Sequence, residues 1–539
     1  MKEEIVSSAT PEQAAAIEYD GNLVITARPG SGKTFTVVEK IAAATRMLRP
    51  YQGIIAISFT NKASNELKER CIRRGVAGNR SFFGTIDRFF IAEIIVKFGG
   101  HLVEMPEEFE ICKLCDHPEY GDLYSAKQRL TDELEKRLFD ALRNGLIFLE
   151  VVGETALRIL KRAPACRRYI KARYTHVFID EYQDCGKAQH GFFTELVALG
   201  LIGTAVGDLD QAIYGFAGKE SRFLRALAVD ESFRHMSITQ NFRCHKSIAS
   251  YSLRLLGIGL QDPLPEDKRV VEARVPGGEA QIAQAICAKL PEIMERNDVE
   301  HLGQMAVLAR TNRTLNILSK NIDVPFHIAE STSLEDHGSN QAKMLDDLLT
   351  SYFSGSGSLT AFVRRYFSEE DDRRYRKALS ISSSIFGTSV DMLSRETDKM
   401  TELARMAYCN EKPVGLSSLL ACELEDTERL ASNYSPSAEN EINLMTLHKA
   451  KGLEFDIVFH LEAYDSIMPM FNPQGADPEE IQQALNLHYV GITRAIKECY
   501  LVLGTTRENS RGKIKTALPS PFLSKNGLAF CRRNEDWLE

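Results

Sequence analysis

The sequence lacks the features that would place the protein in a membrane, outside the cell, or on a nucleic acid by bulk charge. Its longest apolar run, around residues 196–206, is much shorter than the roughly 20 residues of a membrane-spanning helix. Glu3 and Glu4 stand near the start without an apolar segment, which does not fit a signal peptide. The net charge is −8, so overall charge does not attract nucleic acid. A cytoplasmic protein is expected.

Cysteines that stand close together in the sequence are also scarce. Eleven cysteines are spread over 539 residues, which favours reduced thiols in an intracellular chain. One CxxC pair, Cys112 and Cys115, precedes Asp116 and His117. A zinc or iron–sulfur site of this type normally needs a second pair at a suitable spacing. An incidental pair is the favoured interpretation, and metal binding by Cys112 and Cys115 stays open.

Strands and helices are predicted to alternate in two separate stretches of the chain, as in parallel α/β sheets. The predicted buried strands are 23–25, 54–58, 177–179 and 201–206 in the first stretch, and 305–308, 442–447, 455–459 and 499–503 in the second. Two inserts of mainly helical character interrupt these stretches, with a helix predicted over 126–142 in the first insert. A length of 539 residues favours about three to four domains.

A glycine-rich loop follows the first predicted strand and begins a helix. Its sequence is Ala27-Arg28-Pro29-Gly30-Ser31-Gly32-Lys33-Thr34. Backbone N–H groups of such a loop bind phosphate, Lys33 adds positive charge, and the Thr34 hydroxyl can be a Mg²⁺ ligand. Ala27 stands where the first glycine of a Walker A loop is usual, which is tolerable if its φ is negative. The loop predicts an ATP site, and an ordinary glycine-rich turn is the alternative.

Two acidic residues, Asp180 and Glu181, follow the buried strand at 177–179. ATP hydrolysis needs a metal held by a carboxylate and a group that orients or deprotonates water. We therefore predict that Asp180 binds Mg²⁺ and that Glu181 polarises the attacking water. Adjacent acids can instead complement a helix N-terminus, but the preceding buried strand and phosphate loop favour the catalytic interpretation.

A basic stretch lies in the first insert. Residues 158–173 contain no acidic residue and these seven basic ones: Arg158, Lys161, Arg162, Arg167, Arg168, Lys171 and Arg173. A solvated helix face and a phosphate-contacting surface are both compatible with this pattern.

An ordered set of motifs resembles the UvrD/Rep family of superfamily 1 DNA helicases along the whole chain. The set is Gln13, ARPGSGKT, FTNKASNELKER, DEYQD, VGDLDQAIYGF, LAR before Thr311 and Asn312, LMTLHKAKGLEF and HYVGITRA. The resemblance implies an α/β fold of two RecA-like, parallel-sheet P-loop motor domains, each with a mainly helical insertion. The implied boundaries are 1–89 with 175–243 for motor domain 1A, 90–174 for insertion 1B, 244–329 with 442–539 for motor domain 2A, and 330–441 for a compact insertion 2B.

The resemblance also implies roles at the ATP site. Gln13 corresponds to the adenine-reading glutamine, Phe242 to the residue that stacks on the base, and Glu454 to a residue near the ribose. Arg243 and Arg494 correspond to two arginine fingers, and Gln211 to a γ-phosphate sensor. The expected nucleotide-binding set is Gln13, Arg28, Pro29, Gly30, Ser31, Gly32, Lys33, Thr34, Phe35, Phe242 and Glu454. Phe35 stands where an adenine-facing arginine is common, so base recognition is expected to depend on Gln13 and Phe242.

The resemblance further implies contacts with single-stranded DNA. The matching positions are Phe59, Thr60, Asn61, Tyr214, Phe216, Thr446 and His448. Aromatic side chains can stack on any base, which suits binding without sequence preference. Core packing is the alternative for Tyr214 and Phe216, and a structural histidine is the alternative for His448.

Some positions depart from the family pattern. Ala217 stands where a charged contact is usual, and Asp87 replaces a usual histidine. Neither departure affects Lys33, the adjacent acids or the two arginines. We therefore expect hydrolysis, and unwinding is the more open question.

Within the family, the chain resembles the UvrD-like subunits of Gabija anti-phage defence systems. The resemblance depends on the GT-x-D-x-F form at 84–89, on DEYQD followed by Cys185, Gly186 and Lys187, on the compact inserts and on the abrupt end. It implies a nuclease partner that carries an ABC-type ATPase and a Toprim domain.

The expected function is an ATP-dependent DNA helicase or translocase that moves 3′→5′ on single-stranded DNA, in anti-phage defence or DNA repair. The alternative is a DNA-activated ATPase that serves as a sensor or regulatory subunit of a nuclease complex and unwinds little. A small-molecule NTPase or kinase is disfavoured, because such an enzyme has no use for Phe59, Tyr214 and His448.

Overall fold

The computed structural model describes residues 9–76, 80–211, 221–328, 332–355, 358–367, 371–469, 477–509 and 512–537. Its strands are β1 (Leu23–Ala27), β2 (Gly53–Ser58), β3 (Phe82–Thr85), β4 (Glu110–Cys112), β5 (Leu146–Phe148), β6 (Tyr174–Ile179), β7 (Ile202–Gly207), β8 (Arg234–Ile238), β9 (Val270–Val275), β10 (Met305–Ala309), β11 (Phe326–Ile328), β12 (Ile442–Thr446), β13 (Phe455–His460), β14 (Ala495–Gly504), β15 (Thr506–Glu508), β16 (Ile514–Thr516) and β17 (Arg533–Asp536).

The α-helices in the first part of the chain are α1 (Pro11–Glu18), α2 (Lys33–Thr45), α3 (Asn61–Arg73), α4 (Ile86–Phe89), α5 (Val96–Phe98), α6 (Asp132–Arg143), α7 (Val152–Arg162), α8 (Pro164–Arg173), α9 (Lys187–Ala198), α10 (Arg222–Ala228) and α11 (Lys246–Leu255). A π-helical stretch, Phe90–Ile95, joins α4 to α5. Later helices are α12 (Glu279–Asn297), α13 (Asn312–Ser319), α14 (Ser333–His337), α15 (Asn340–Ser354), α16 (Ser358–Tyr366), α17 (Asp372–Phe386), α18 (Thr397–Ala407), α19 (Leu416–Glu425), α20 (Thr427–Tyr434) and α21 (Pro478–Ile492).

Two parallel sheets organise the chain. The first has the strand order β3-β2-β6-β7-β1-β8, and the second has the order β11-β12-β10-β13-β14-β9-β17. Within both sheets all the described strand pairs are parallel. The prediction of an α/β protein with two parallel sheets is confirmed. Because the strands are parallel, the loops at their carboxyl ends meet along one edge of each sheet.

Apolar, fully buried strands explain why the sheets form. In β1, Leu23, Val24 and Ile25 are inaccessible to solvent, and in β10 all five side chains are buried. Such continuous apolar runs are typical of strands covered on both faces by helices. The exact four-part domain division stays a prediction, although the first sheet draws its strands from 23–85 and 174–238 and the second draws its strands from 270–328, 442–504 and 533–536.

The first insert contains a small parallel sheet as well as helices, since β4 pairs with β5. The helix predicted over 126–142 was placed too early. A 3₁₀ segment, Pro118–Lys127, precedes it, and α6 begins at Asp132 because the Thr131 hydroxyl accepts a hydrogen bond from the backbone N–H of Leu134. That cap fixes the start of the helix.

The two inserts contact each other through backbone hydrogen bonds. The N–H of Phe109 donates to the carbonyl of Asn410 over 2.9 Å, and the N–H of Lys412 donates to the carbonyl of Phe109 over 2.7 Å. In the described part of the chain, no helix combines the length and the apolar character needed to cross a bilayer.

Candidate active site

The phosphate loop joins β1 to α2 and contains two glycines in the left-handed region. Gly30 has φ +70° and Gly32 has φ +78°. A Cβ atom on Gly32 would lie 2.5 Å from Nε2 of Gln13, and one on Gly30 would lie 2.5 Å from Cβ of Arg243. Both positions therefore favour glycine for backbone conformation, and Gly30 also for space, because Cβ of Arg243 cannot move aside as the end of the Gln13 side chain can. Ala27 is the last residue of β1 and needs no such freedom.

Lys33, in the first turn of α2, points at the carboxylates that follow β6. Its Nζ lies 3.2 Å from Oδ1 of Asp180 and forms a closer ion pair with Oε1 of Glu181. Burial lowers the pKa of Lys33, but the two carboxylates outweigh burial and raise it above its usual value. Lys33, Asp180 and Glu181, which lie far apart in the sequence, are thus brought together at the edge of the first sheet.

The two acids have opposite pKa shifts. Burial raises the pKa of Glu181, but the charges of Lys33 and Lys451 outweigh it and bring the pKa down to about 2. Burial raises the pKa of Asp180, and Lys33 compensates only in part. Glu181 therefore remains ionised at neutral pH, which is the state required of a group that accepts a proton.

Hydrogen bonds connect Glu181 to the neighbouring strand end. The Gln183 side-chain amide donates to Oε2 of Glu181, while Oε1 of Gln183 accepts from the backbone N–H of Asp208 over 3.0 Å. Nε2 of Gln211 donates to Oδ2 of Asp208 over 2.9 Å. Burial raises the pKa of Asp208 to about 7. The predicted sensor Gln211 is therefore linked to Glu181 through Gln183 and Asp208, which belong to the motifs DEYQD and VGDLDQAIYGF but had no individual role assigned.

The predicted base-recognising residues flank the phosphate loop. Gln13 is buried at the start of α1, where its Nε2 donates to the carbonyl of Ser31 over 2.9 Å. Phe242 is 57% exposed, and its backbone N–H donates to the carbonyl of Gly30 over 2.8 Å. Asn241 had not been singled out, yet its side-chain amide donates to the carbonyl of Pro29 and its Oδ1 accepts from the backbone N–H of Arg243.

Two arginines approach this loop from beyond the first sheet. Arg243 packs against Gly30, and its Nε lies 2.6 Å from Oε2 of Glu454. Arg494 is only 2% exposed, and its guanidinium donates to the carbonyls of Val490 and Leu453. Burial, followed by the nearby Arg243 charge, lowers the pKa of Arg494 to about 10. An anion bound between these arginines would raise the pKa of Arg494 again, because it would offset both the cost of burial and the repulsion from Arg243.

Lys451 connects the two sheet edges and was missed as an individual residue, although it lies inside the quoted motif LMTLHKAKGLEF. Its Nζ lies 2.5 Å from Oδ2 of Asp184, 3.2 Å from the carbonyl of Gln211 and 3.9 Å from Oε2 of Glu181. The loop after β12 thereby reaches the acids of the first sheet. The signal that could have found Lys451 is a basic residue in a strand-end loop of the second sheet.

The predicted DNA-contacting residues are only partly described. Phe59 lines a cavity of about 1210 Å³ whose basic wall residues include Lys127, Lys187 and Arg222. Thr60 caps α3 by accepting from the N–H of Ala63.

The other DNA predictions fall outside this cavity or outside the described residues. Thr446 ends β12, and burial lowers the pKa of the half-buried His448. Tyr214, Phe216 and Ala217 lie outside the described residues, as does the side chain of Asn61.

The structure also bears on two further features of the sequence, the basic stretch at 158–173 and the CxxC pair. Arg158 and Arg162 form ion pairs with Glu135 of the first insert, and Lys161 and Arg167 form them with Glu195 of α9, so part of the basic stretch is neutralised. Cys115 is exposed and is not in the cluster that surrounds the buried Cys112. The structure does not join the two thiols of the CxxC pair in one candidate metal site.

Two protein-family models match the chain. The AAA domain matches residues 12–217, and the UvrD-like helicase C-terminal domain matches residues 368–506. The chain therefore carries an AAA domain and a UvrD-like helicase C-terminal domain. It is accordingly an ATP-hydrolysing enzyme, as the sequence motifs predicted.

Several curated relatives match the chain over nearly its whole length. Gabija protein GajB of Bacillus cereus is 25% identical over 90% of the chain and 94% of the relative. The ATP-dependent DNA helicase PcrA of Staphylococcus epidermidis is 23% identical over 97% of the chain and 86% of the relative. The ATP-dependent DNA helicase UvrD1 of Mycobacterium tuberculosis is 23% identical, covering 97% and 84% respectively.

Proposed function

We propose that this protein uses ATP hydrolysis to move 3′→5′ along single-stranded DNA and to displace the complementary strand. The observation that supports the proposal most strongly is the division of charged groups between the two sheets. Lys33, Asp180 and Glu181 lie at the edge of the first sheet. Arg494 lies between α21 and β14 of the second sheet. A nucleotide held by both groups would link hydrolysis to the spacing of the sheets.

The first sheet edge would bind the phosphates. Lys33 and the N-terminus of α2 face the phosphate position, and the Thr34 hydroxyl with the Asp180 carboxylate forms an oxygen donor set that suits Mg²⁺. When bound, Mg²⁺ would help to neutralise the phosphate charge. Lys33 would leave the carboxylates for the phosphates, and Glu181 would then accept the proton of the attacking water. Gln211 would sense the γ-phosphate through its connection to Asp208.

Arg243, which follows β8 of the first sheet, and Arg494, which precedes β14 of the second, would complete the site on closure. Arg243 would exchange Glu454 for the γ-phosphate, and Arg494 would exchange the backbone carbonyls that now hold it. Glu454, released from Arg243, would face the ribose, and Phe242 would stack on the base above Gln13. Arginines that meet developing charge on the γ-phosphate supply most of the acceleration in comparable enzymes.

DNA would pass across the strand-end loops that carry Phe59, Thr60, Asn61, Thr446 and His448, together with Tyr214 and Phe216. The cavity beside Phe59 offers one place on this path. Its wall carries three basic residues that can meet phosphates, Lys127, Lys187 and Arg222, and three acidic ones, Asp87, Glu150 and Glu154. Lys451 offers a route for coupling, because it lies in the loop after β12 and contacts the acids of the ATP site.

A second function has one specific observation in its favour. The match to Gabija protein GajB covers 90% of this chain and 94% of that relative, so the two proteins have nearly the same extent. On this alternative, the protein is a DNA-activated ATPase in anti-phage defence that regulates a nuclease partner carrying ABC-type ATPase and Toprim domains. It would share all residues of the ATP site with the motor and would displace little DNA.

The deciding experiment measures ATP turnover and strand displacement on duplexes with a 3′ or a 5′ single-stranded tail. The motor predicts displacement only with the 3′ tail, and Lys33→Ala should abolish both activities. DNA-stimulated turnover without displacement would favour the regulatory ATPase. ATP turnover that is the same with and without DNA would contradict both functions.

A further inference from the structure

A cluster of three different metal-ligating side chains lies at the start of the first insert, far from the ATP site in the sequence. Glu110 and Cys112 alternate along β4 and so project from the same face of the strand. The 3₁₀ turn Leu114–Asp116 then brings His117 back to that face. One ligand atom from each residue lies within 4.8 Å of the other two.

The ring of His117 is oriented as in a metal-ligating histidine. Its Nδ1 lies 3.2 Å from Oε1 of Glu119, and its Nε2 lies 3.6 Å from Oε1 of Glu110. Phe148 of β5 contacts the ring, with centroids 5.6 Å apart. With its proton on Nδ1, the imidazole donates to Glu119 and directs the Nε2 lone pair toward Glu110. Metal-bound histidines commonly donate their second nitrogen to a carboxylate in this way.

We propose that Glu110, Cys112 and His117 form a zinc site. Tetrahedral Zn²⁺ with bonds of about 2.0–2.3 Å needs ligand atoms roughly 3.3–3.8 Å apart, so small side-chain rotations would complete the geometry. Thiolate, imidazole and carboxylate are all ordinary zinc ligands, and water would take the fourth position. An iron–sulfur cluster fits poorly, because such clusters use several cysteine thiolates and the described cluster contains one.

The position of the site gives it a structural role. Phe109, which directly precedes β4, makes the two backbone hydrogen bonds to the second insert. On the other side of the cluster, Nζ of Lys113 donates to the carbonyl of Asp336 over 2.5 Å. Zinc would therefore brace β4 between two contacts with the other insert. Since the first insert is small and its β4–β5 sheet has two short strands, a metal would add stability that this sheet lacks.

The experiment uses the full chain, stripped with a chelator and titrated with Zn²⁺ or Co²⁺. We expect one equivalent of zinc per chain and a thiolate-to-cobalt charge-transfer band. Glu110→Gln and His117→Gln should each lose stoichiometric binding, and Cys112→Ser should lose the charge-transfer band. Glu119→Gln, which disturbs only the histidine's partner, should weaken binding about 10–100-fold.

Cys115→Ser is the matched control, because Cys115 is three residues away and exposed. It should bind zinc as the wild type does. Absence of stoichiometric zinc in the wild type would overturn the proposal, and so would a Cys115→Ser variant that loses the metal. Cys112 is buried, so its replacement could disturb folding. If it does, the Glu110→Gln and His117→Gln variants test the zinc site, provided that unchanged ATP turnover without DNA shows that they are folded.

Discussion

Glu181 and Glu462 stand at the same distance from the end of a strand, one in each sheet. β6 ends at Ile179 and β13 ends at His460, and in each case a glutamate follows as the second residue after the strand. Both glutamates have positive φ, 57° for Glu181 and 61° for Glu462, which is uncommon for a residue with a side chain. The two glutamates therefore share an unusual positive φ, whereas the surroundings of their carboxylates differ.

The Glu462 carboxylate is buried at the N-terminus of α13. It accepts from the backbone N–H groups of Arg310 and Thr311 over 2.6 and 3.1 Å, and from the hydroxyl of Thr314 over 2.8 Å. Burial raises its pKa. α13 follows β10 as α2 follows β1. In the second sheet, the carboxylate of Glu462 therefore occupies the helix N-terminus that could otherwise bind an anion.

The Glu181 carboxylate instead pairs with the Lys33 side chain, and its pKa falls to about 2. A lysine can leave an acid when a phosphate arrives, whereas a carboxylate buried against backbone N–H groups is fixed. This difference supports the proposed division, in which the first sheet holds the phosphates and the second sheet contributes Arg494. Three substitutions test that division.

The largest effect is expected for Arg494→Ala, which removes a charge that the second sheet contributes to hydrolysis but not to the initial binding of ATP. Turnover should fall by roughly 10³–10⁵-fold, the usual effect of an arginine finger. Binding of a fluorescent ATP analogue should persist, which also shows that the variant is folded. Arg494→Lys should be intermediate, since lysine keeps the charge without the planar fork. Near-normal turnover of Arg494→Ala would remove this residue from the mechanism.

Glu181→Gln should lower turnover by roughly 10²–10⁴-fold, because the amide cannot accept the proton of the attacking water. Its thermal stability should fall moderately, because the amide loses the attraction to Lys33 and Lys451 that lowers the Glu181 pKa, although Asp180 remains beside Lys33. Single-turnover hydrolysis with saturating ATP is the measurement. A variant that loses stability but keeps its rate would mean that Glu181 is structural, as Glu462 is.

Glu462→Gln should have the opposite profile and the smallest effect. The amide would place donors against backbone N–H groups, at a cost of about 2–3 kcal/mol. Trp537 is the single tryptophan and is packed against Phe459 and Tyr500 in the core of the second sheet, so its fluorescence reports denaturation there. ATP turnover per folded molecule should be unchanged. A Glu462→Gln variant that loses ATP turnover while its stability is unchanged would contradict the structural role assigned to Glu462.

The sequence predicts the first half of the site well, because local patterns carry it. A buried apolar run before Asp180 and a glycine-rich loop before Lys33 place both residues at strand ends. The same patterns locate the central strands of both sheets to within a few residues.

Interactions between distant residues were not predictable from the sequence. β17 (Arg533–Asp536) is entirely polar, and it forms because it pairs with β9 while Arg533 binds the buried Glu498. Lys451 meets Asp184 across more than two hundred residues of sequence. No local pattern marks such a partner, because tertiary packing creates both the pairing and the burial.

The central claim is that the two sheet edges close on ATP, and the distance between the sheets tests it most directly. Fluorescent amino acids can be placed at Met47, after α2, and at Phe530, beside the second sheet, since these side chains are 88% and 69% exposed. Energy transfer between them should be measured without ligand, with a non-hydrolysable ATP analogue, with single-stranded DNA, and with both. We predict a change to a distinct, narrower distance distribution when nucleotide and DNA are both present, and a smaller change in Arg494→Ala. An identical distribution in all four states, in a labelled protein that still hydrolyses ATP, would contradict the account.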